Sequence, residues 1–221
     1  MPTVTLTLVA DAGIDSGDPT TALGSATAAT LGLASPSTLR LLQSWSGISA
    51  IPAGATISAA SLALAMPEAP ETTGASEIKA HKLTAAFVEA QATWDSRSTG
   101  NAWTSAGGDY SLTVVSVCGS LPIVQETTNW NVKEIIVEAH AASSDTASFI
   151  LKRTTESGDD DYIGFSTKEG ATAPTLTVTY TEAASEEASE EARSTPSGSL
   201  MDRLRPLNIE HRWRGYGFPR R

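Results

Sequence analysis

The sequence predicts an all-β protein: an antiparallel, jelly-roll-like β-sandwich with one short helix and an extended C-terminal tail. Three observations predict it. Short runs of alternating apolar and polar residues recur along the first 181 residues, and turn-forming residues separate them. One segment has helical periodicity instead. After Tyr180 the composition changes sharply, and large apolar residues disappear for about twenty positions.

The alternating runs are rich in Thr, Val, Ile and Leu, which favour strands. They lie at residues 3–10, 55–66, 111–119, 147–153, 162–167 and 174–180. Stretches such as DAGIDSGDPT and TESGDDD lie between them and are typical of turns. Because only 6% of the residues are aromatic, the core must come mainly from aliphatic side chains.

The segment NVKEIIVEAHAA, residues 131–142, has a different period. Val132, Ile135, Ile136 and Ala139 recur on one helical face, and charged residues fall on the other. Asn129 or Asn131 is placed to cap the start of this helix. The pattern predicts a short helix that covers one end of the sandwich.

The chain is predicted to have three parts. The sandwich domain occupies residues 1–181 and holds 18 acidic and eight basic residues. Residues 182–199 contain Ala, Ser and Glu, then Pro and Gly, which predicts an acidic linker. Residues 200–221 carry six Arg and two acidic residues among several aromatics, which makes a basic, aromatic tail.

Composition excludes several classes of function. A net charge of −10 argues against general binding to nucleic acid. No stretch approaches the ~18 consecutive apolar residues that a membrane span needs. The N-terminal residues alternate between apolar and polar, whereas a secretory signal has an unbroken apolar run, so no secretory signal is predicted. We therefore expect synthesis in the cytoplasm and no membrane partner. The one cysteine, Cys118, excludes an intrachain disulfide and a Cys-based metal cluster.

Four motifs follow one another between Thr5 and Tyr180. They are ADAGIDSGDPTTALGSATAATLGL, TLRLLQSWSGISAIPAGATISAASLAL, a Thr-Trp segment that ends in Gly-Gly-Asp, and GFSTKEGATAPTLTVTY. In this order they resemble the DNRLRE domain, a β-sandwich of secreted, cell-wall and some phage structural proteins. The resemblance implies a sandwich fold, and some relatives are classed as carbohydrate-binding modules. Gln43 and Ser44 depart from the family's charged and aromatic pattern, and residues 181–221 have no counterpart in it.

The run ATWDSRSTGNAWTSAGGDY, residues 92–110, concentrates candidate binding residues. Trp94 and Trp103 are candidates for a surface on which sugars stack, with Asp95 and Arg97 supplying hydrogen bonds. The alternative is structural: the indoles fill the core, and a Gly-Gly pair forms a turn with positive φ. Both interpretations remain open from the sequence, and the structural one is favoured because aromatic residues are scarce.

Metal and catalytic sites are not predicted. Asp11, Asp15 and Asp18 are spaced as oxygen ligands for Ca²⁺, as are residues 159–161, but neither run has EF-hand spacing, and turns also need Asp. Cys118 lies in a strand and is expected to be a buried, inert thiol. The sequence has no Gly-x-Ser-x-Gly, His-Glu-x-x-His or phosphate-loop motif. We therefore expect no enzymatic activity, no cofactor and no bound metal.

The leading hypothesis is a non-enzymatic structural protein of a bacteriophage virion, assembled in the host cytoplasm. It would be a head decoration or cement protein, or a neck or fibre-like component, present in many copies or as a homo-oligomer. Because Arg and large aromatics favour interface centres, the tail residues predicted to bind other virion proteins are Arg212, Trp213, Arg214, Tyr216 and Phe218. A solvated tail or a nucleic-acid contact is the alternative for this segment. The alternative function is a carbohydrate-binding module that recognises a surface polysaccharide.

Overall fold

Strands dominate the computed structural model, which describes residues 1–69 and 76–183. The strands within these ranges are β1 (Thr3–Asp15), β2 (Ala28–Ala34), β3 (Ser37–Ser46), β4 (Thr56–Ala65), β5 (Glu77–Leu83), β6 (Ser96–Ser98), β7 (Asn101–Ala102), β8 (Tyr110–Ser120), β9 (Thr127–Asn131), β10 (Thr146–Arg153), β11 (Asp161–Ser166) and β12 (Thr175–Thr181). The α-helix α1 spans Lys133–Ala141, and short 3-10 helices lie at Ile48–Ala50 and Glu89–Gln91. Beyond residue 183, the predicted linker and the predicted tail lie outside the described residues.

The strands form two antiparallel layers. The smaller layer has the order β1-β12-β4-β9. The larger layer has the order β8-β5-β10-β3-β1, and β2 and β11 extend it from β3. The predicted antiparallel all-β sandwich with one short helix is therefore confirmed.

β1 belongs to both layers. Thr3 to Leu6 pair with β12, whereas Thr7 to Asp15 pair with β3. The register with β3 shifts between Leu8 and Ala10, which is the irregularity expected where a strand turns from one layer into the other.

The main core lies between the layers and is built mostly from aliphatic side chains, as the composition predicts. Trp45 and Phe149 are among its largest fully buried side chains. Trp130 packs edge-on against Phe165, with ring centroids 5.2 Å apart. Each of these aromatic side chains fills volume that the many alanines of the core leave open.

The helix α1 closes the sandwich between β8 and β4, because the Glu134 N–H donates to Ser116 Oγ in β8 and the Val132 N–H donates to the carbonyl of Ala60 in β4. Ile135, Ile136 and Ala139 are buried, as the helical period predicts. Asn131 is the residue that acts at its start: its Oδ1 accepts the Lys133 N–H at 3.0 Å, whereas Asn129 pairs with β4. No helix among the described residues is both long enough and apolar enough to cross a membrane.

The alternating runs of the sequence analysis do not include β2, β3, β5, β6, β7 and β9, although β3 lies in the second of the four resemblance motifs. β2 and β9 contain Gly, Ala, Asn and Thr, whose alternation is weak. β5 alternates more clearly, since Ile78 and Ala80 are buried, but its outward residues include Lys79 and His81. The sequence analysis assigned no element to this segment, although an antiparallel sheet tolerates charged residues on a solvated face.

Candidate functional site

Residues 84–109 cover the outer face of the larger layer. This segment contains the small β6-β7 hairpin and the 3-10 helix at residues 89–91. Beneath it lies a second hydrophobic cluster, distinct from the main core. Its members are Ala12, Ile14, Leu42, Leu83, Ala92, Trp103 and Ile150. The loop that concentrates the candidate binding residues is therefore a packed layer.

Trp103 belongs to this second cluster. Its side chain is 5% exposed, and its indole N–H donates to the carbonyl of Thr93 at 3.0 Å. A buried indole that satisfies its single donor on the backbone is the arrangement that the structural interpretation predicts. The faces of this ring are not available for stacking on a sugar.

Trp94 is half-buried, and Arg40 covers its ring. The guanidinium carbon of Arg40 lies 4.6 Å from the ring centroid, within the range of a cation–π contact. The backbone carbonyl of Trp94 accepts the Gly107 N–H at 2.6 Å. Trp94 therefore fixes the end of the loop to β3, and Trp94 and Trp103 do not form a shared exposed surface.

Gly107 and Gly108 make the predicted turn, with φ of 88° and 105°. At Gly107 space is also a constraint. A Cβ at this position would lie 2.5 Å from Arg40 Nη1 and 2.8 Å from the Trp94 ring. Only glycine allows the backbone to approach this closely.

Asp95 and Arg97 are bonded to other parts of the loop and of the body, and the carbonyl of Asp95 accepts the Trp103 N–H at 3.0 Å. The Asp95 carboxylate is at an exposed position, and its backbone N–H donates to the carbonyl of Pro19 at 3.1 Å. Arg97 donates from Nη1 to the carbonyl of Ala86 at 3.4 Å. Both residues therefore help to hold the loop in place, and of the four predicted sugar-binding residues Trp103 is buried and Trp94 is covered by Arg40.

Two cations and one carboxylate meet beside this loop. Arg40 is 8% exposed and binds Glu156 in a bidentate manner, with Nε to Oε1 at 2.8 Å and Nη2 to Oε2 at 2.6 Å. The Lys152 ammonium lies 3.2 Å from the same Oε2, and burial lowers the pKa of Lys152. Arg40 also donates from Nη1 to the Gly107 carbonyl. The charged side chains of this cluster thus bond to one another and, through Arg40, to the backbone of the loop.

Tyr110 borders the charged cluster. Its ring centroid lies 5.7 Å from the Arg40 guanidinium and 5.8 Å from the Lys152 ammonium. His81 packs 5.0 Å from the same ring, and burial is the main cause that lowers the pKa of His81. The imidazole is therefore neutral at pH 7, which avoids a third positive charge at this position.

An open depression of about 540 Å³ lies beside Tyr110. Its lining combines a ring, hydroxyls, a carboxylate and a guanidinium, the groups that bind polyols. The residues are Arg40, Thr84, Ala85, Thr104, Ser105, Ala106, Gly108, Asp109, Tyr110 and Leu112. Sequence reasoning missed this surface because Arg40 and Tyr110 are seventy positions apart and belong to β3 and β8, between which β5 and β10 lie in the sheet.

The Asp residues whose spacing was weighed for Ca²⁺ are not brought together as a group among the described residues. Asp15 accepts the Gly17 N–H at 2.7 Å, and the carbonyl of Asp18 accepts the Thr21 N–H. In the second run, Asp160 accepts the Ser35 N–H, and Asp161 accepts the Ser76 N–H. These carboxylates serve turns and strand ends, which is the structural alternative for such residues.

Asp11 joins a different acidic cluster. One oxygen each of Asp11, Glu89 and Glu169 lies within 4.8 Å of the others. The Lys168 ammonium lies 2.7 Å from Glu89 and 3.6 Å from Glu169, so a lysine supplies the positive charge here. Asp11 is 1% exposed, and burial raises its pKa to about 6. This cluster was missed because its members are distant in sequence.

Cys118, His81 and His140, the residue types that nucleophilic catalysis would use, have separate partners. Burial raises the pKa of the Cys118 thiol to about 12, which keeps it protonated and unreactive. His81 Nδ1 pairs with the carbonyl of Ser111 at 2.9 Å, and His140 Nε2 pairs with the carbonyl of Pro52 at 3.1 Å. The arrangement of these three side chains is structural.

No protein-family model matches the sequence, and a search of curated proteins gives no significant match. The resemblance to the DNRLRE domain therefore stays a prediction from the four motifs.

We predict that Gly107→Ala destabilises the protein more than Gly100→Ala. Both positions have positive φ, 88° and 77°, so each substitution costs about 1–2 kcal/mol of backbone strain. Nothing lies within 4 Å of a Cβ at Gly100, whereas a Cβ at Gly107 displaces Arg40 or Trp94, for a further ~1–3 kcal/mol. Urea denaturation measures the two free energies of unfolding. Equal values would show that Arg40 and Trp94 do not enclose this glycine.

We predict that Asp11→Asn removes a pH dependence. The Asp11 pKa is raised from 3.8 to about 6, so on raising the pH the unfolded state ionises first. The wild-type free energy of unfolding therefore falls between about pH 4 and about pH 6, and the Asn variant lacks this fall. Asp18→Asn, at an exposed position of the following loop, is the matched control and keeps the wild-type dependence. An Asn variant with the wild-type slope would contradict the prediction.

Proposed function

We propose that this chain is a non-enzymatic structural protein of a bacteriophage virion that binds neighbouring subunits through residues 200–221. The observation that carries the proposal is the segregation of charge and aromatic residues along the chain. Residues 1–181 hold 18 acidic and eight basic residues, whereas the C-terminal segment holds six Arg and two acidic residues. The predicted attachment residues Arg212, Trp213 and their neighbours lie outside the described residues.

The body supports an architectural role because its longest loop is held in place. Residues 84–109 pack on the second hydrophobic cluster, and Arg40 binds both Glu156 and the Gly107 carbonyl. A sandwich with fixed loops presents a constant shape to its neighbours, which favours repeated contacts in an assembly. The proposal covers a head decoration or cement protein and a neck or fibre-like component alike.

The composition of residues 200–221 supports binding to protein. Arg and large aromatic side chains provide most of the binding energy at many interface centres, and this segment has both. Opposite charges on the body and on this segment favour the approach of one subunit's terminal segment to the acidic body of another. The occupant of such a contact is another virion protein or another copy of the chain.

The test replaces Arg212, Trp213, Arg214, Tyr216 and Phe218 by alanine. We expect incorporation into particles to fall at least about tenfold, because interface centres of this composition contribute 2 kcal/mol or more. Particles assembled from wild-type or variant chains are purified, and the protein is quantified by mass spectrometry. A matched variant with glutamine at Glu186, Glu187, Glu190 and Glu191 keeps the tail and is incorporated normally. Normal incorporation of the alanine variant would overturn the proposal.

A second candidate is carbohydrate binding, and the depression beside Tyr110 favours it. An aromatic ring beside hydroxyls and charged groups suits the alternating apolar and polar faces of a sugar. This surface replaces the pair of Trp94 and Trp103 as the candidate platform, because Trp103 is 5% exposed and Arg40 covers Trp94. The two functions are compatible, since they use different parts of the chain.

We predict that Tyr110→Ala lowers retention on a polysaccharide affinity gel roughly tenfold, since a stacked aromatic ring contributes more than 1 kcal/mol. Tyr162→Ala changes the same residue type in β11, away from the depression, and serves as the control. Circular dichroism checks that both variants fold. Retention of Tyr110→Ala at the wild-type level would exclude this depression as the glycan site.

A further inference from the structure

Among the described residues β8 is a long edge strand, and its register with β5 is regular from Val115 to Val117, between two shifts. It spans 11 residues, YSLTVVSVCGS, and contains no charged residue and no proline. Among the described residues it pairs with β5 alone. Natural sheets protect such edges with charges, proline, short strands or covering segments, because unpaired backbone groups bind other strands.

The other free edges among the described strands are shorter or have a side-chain partner, and β11, which pairs with β2 alone, is six residues long. β9 is five residues long and carries Thr and Asn. Where β1 leaves β12, the Asp11 N–H donates to Glu89 at 2.9 Å, and Lys168 lies beside the same carboxylate. The contrast makes β8 an exception within this fold, and an edge left open favours an intermolecular role.

The exposed side chains of β8 are apolar. Leu112 is 78% exposed and Val117 is 53% exposed on the outer face, next to the half-buried Val115. On the inner face Ser116 is 1% exposed, and its Oγ accepts the Glu134 N–H at 3.1 Å. The inner face is thus occupied by this protein's own helix, and the edge and outer face are available.

We propose that β8 binds β8 of a second copy of this chain, as an antiparallel pair about a two-fold axis at Ser116. This register places Val115 opposite Val117 of the second copy, and Val117 opposite Val115. The central run VVSVC is therefore self-complementary, as an isologous interface requires. Antiparallel valines in direct opposition are a favourable cross-strand pair.

The charges around the axis permit this approach although each chain is acidic. On the outer face Lys79 pairs with Val117 one strand away from the edge, so the two Lys79 side chains would be about 14 Å apart across the new pair. That distance exceeds the screening length of about 8 Å at physiological ionic strength. On the inner face the Glu134 N–H donates to Ser116 Oγ at 3.1 Å, so the start of α1 lies next to the proposed axis.

The size of the surface predicts weak association. In this register residues 112–120 overlap with the second β8, so at about 3.4 Å per residue the pair is about 31 Å long, and a layer about 10 Å thick presents roughly 310 Å². Stable complexes bury about 800 Å² per partner, so this edge supplies less than half of that. The dimer should therefore dissociate on dilution and become stable only where copies are concentrated, as in an assembly. The inference concerns the body and does not require residues 200–221.

Sedimentation velocity of the full chain between micromolar and millimolar concentration tests the pairing. We expect a monomer–dimer equilibrium, and Val117→Lys raises its dissociation constant at least about tenfold by placing a charge against an apolar neighbour. Val88→Lys is the matched control: Val88 is 46% exposed in the loop 84–109 and lies away from β8. A monomer at every concentration, or equal loss of dimer in both variants, would overturn the inference.

Cross-linking tests the register. Full chains with Val115→Cys are mixed with full chains carrying Val117→Cys under mild oxidation, with the native Cys118 replaced by Ser in both. The mixture forms a disulfide-linked dimer, because the two cysteines are directly opposed, and neither variant alone forms it to the same extent. Failure of the mixture to cross-link would overturn the two-fold register.

A third variant separates this inference from the proposed function. Alanine at Trp213, Tyr216 and Phe218 in the full chain leaves the solution dimer unchanged if β8 forms it. Loss of the dimer in this variant would assign self-association to the C-terminal segment and overturn the pairing of β8. It would leave the proposed attachment through residues 200–221 standing.

Discussion

The body of this protein depends on one strand that serves two layers. β1 pairs with β12 through Leu6 and with β3 from Thr7 onward, so its free side opens where β12 ends. A backbone donor buried there without a partner would cost about 1–3 kcal/mol. Glu89 removes this cost by accepting the Asp11 N–H at 2.9 Å. Because Glu89 belongs to the loop 84–109, the same contact draws that loop over the outer face.

The other end of the loop is held by Arg40, which forms an ion pair with Glu156 and a hydrogen bond to the Gly107 carbonyl. Arg40 and Glu156 form a bidentate pair with side chains that are 10% and 17% exposed. Such a pair is a weak source of net stability, because desolvation offsets much of the attraction. The pair instead positions the Arg40 guanidinium against Trp94 and the Gly107 carbonyl, and these contacts fix the end of the loop relative to β3. The depression beside Tyr110 exists because the loop ends there.

These features separate the surfaces that the chain offers to partners. The depression beside Tyr110 is polar and open, and the β8 edge is apolar and free of charge. Under the proposed function, the C-terminal residues 200–221 add a third surface of opposite charge to the body. A multi-copy assembly can use a specific terminal contact together with a weak lateral contact, since several weak contacts in a symmetric array reinforce one another.

Local sequence patterns determined much of the fold. Alternation at residues 55–66 and 174–180 predicted β4 and β12, and a 3.6-residue period predicted α1, because side-chain direction follows directly from backbone repeat. The turn at Gly107 and Gly108 was also predictable, since positive φ favours glycine. The strands β2 and β9 were not, because their Gly, Ala, Asn and Thr residues carry little periodic signal.

Only the tertiary structure decided the roles of the candidate site residues. From the sequence, Trp94 and Trp103 could belong either to a ligand surface or to the core. In the structure Trp103 is buried, and Trp94 is partly buried, against residues of β1, β3 and β10. Asp11 was grouped with its neighbours Asp15 and Asp18, yet it lies with Glu89 and Glu169, which come from distant loops. The physical reason is the same in both cases. Local periodicity determines the direction in which a side chain points, but the pairing of strands distant in sequence determines which residues it contacts.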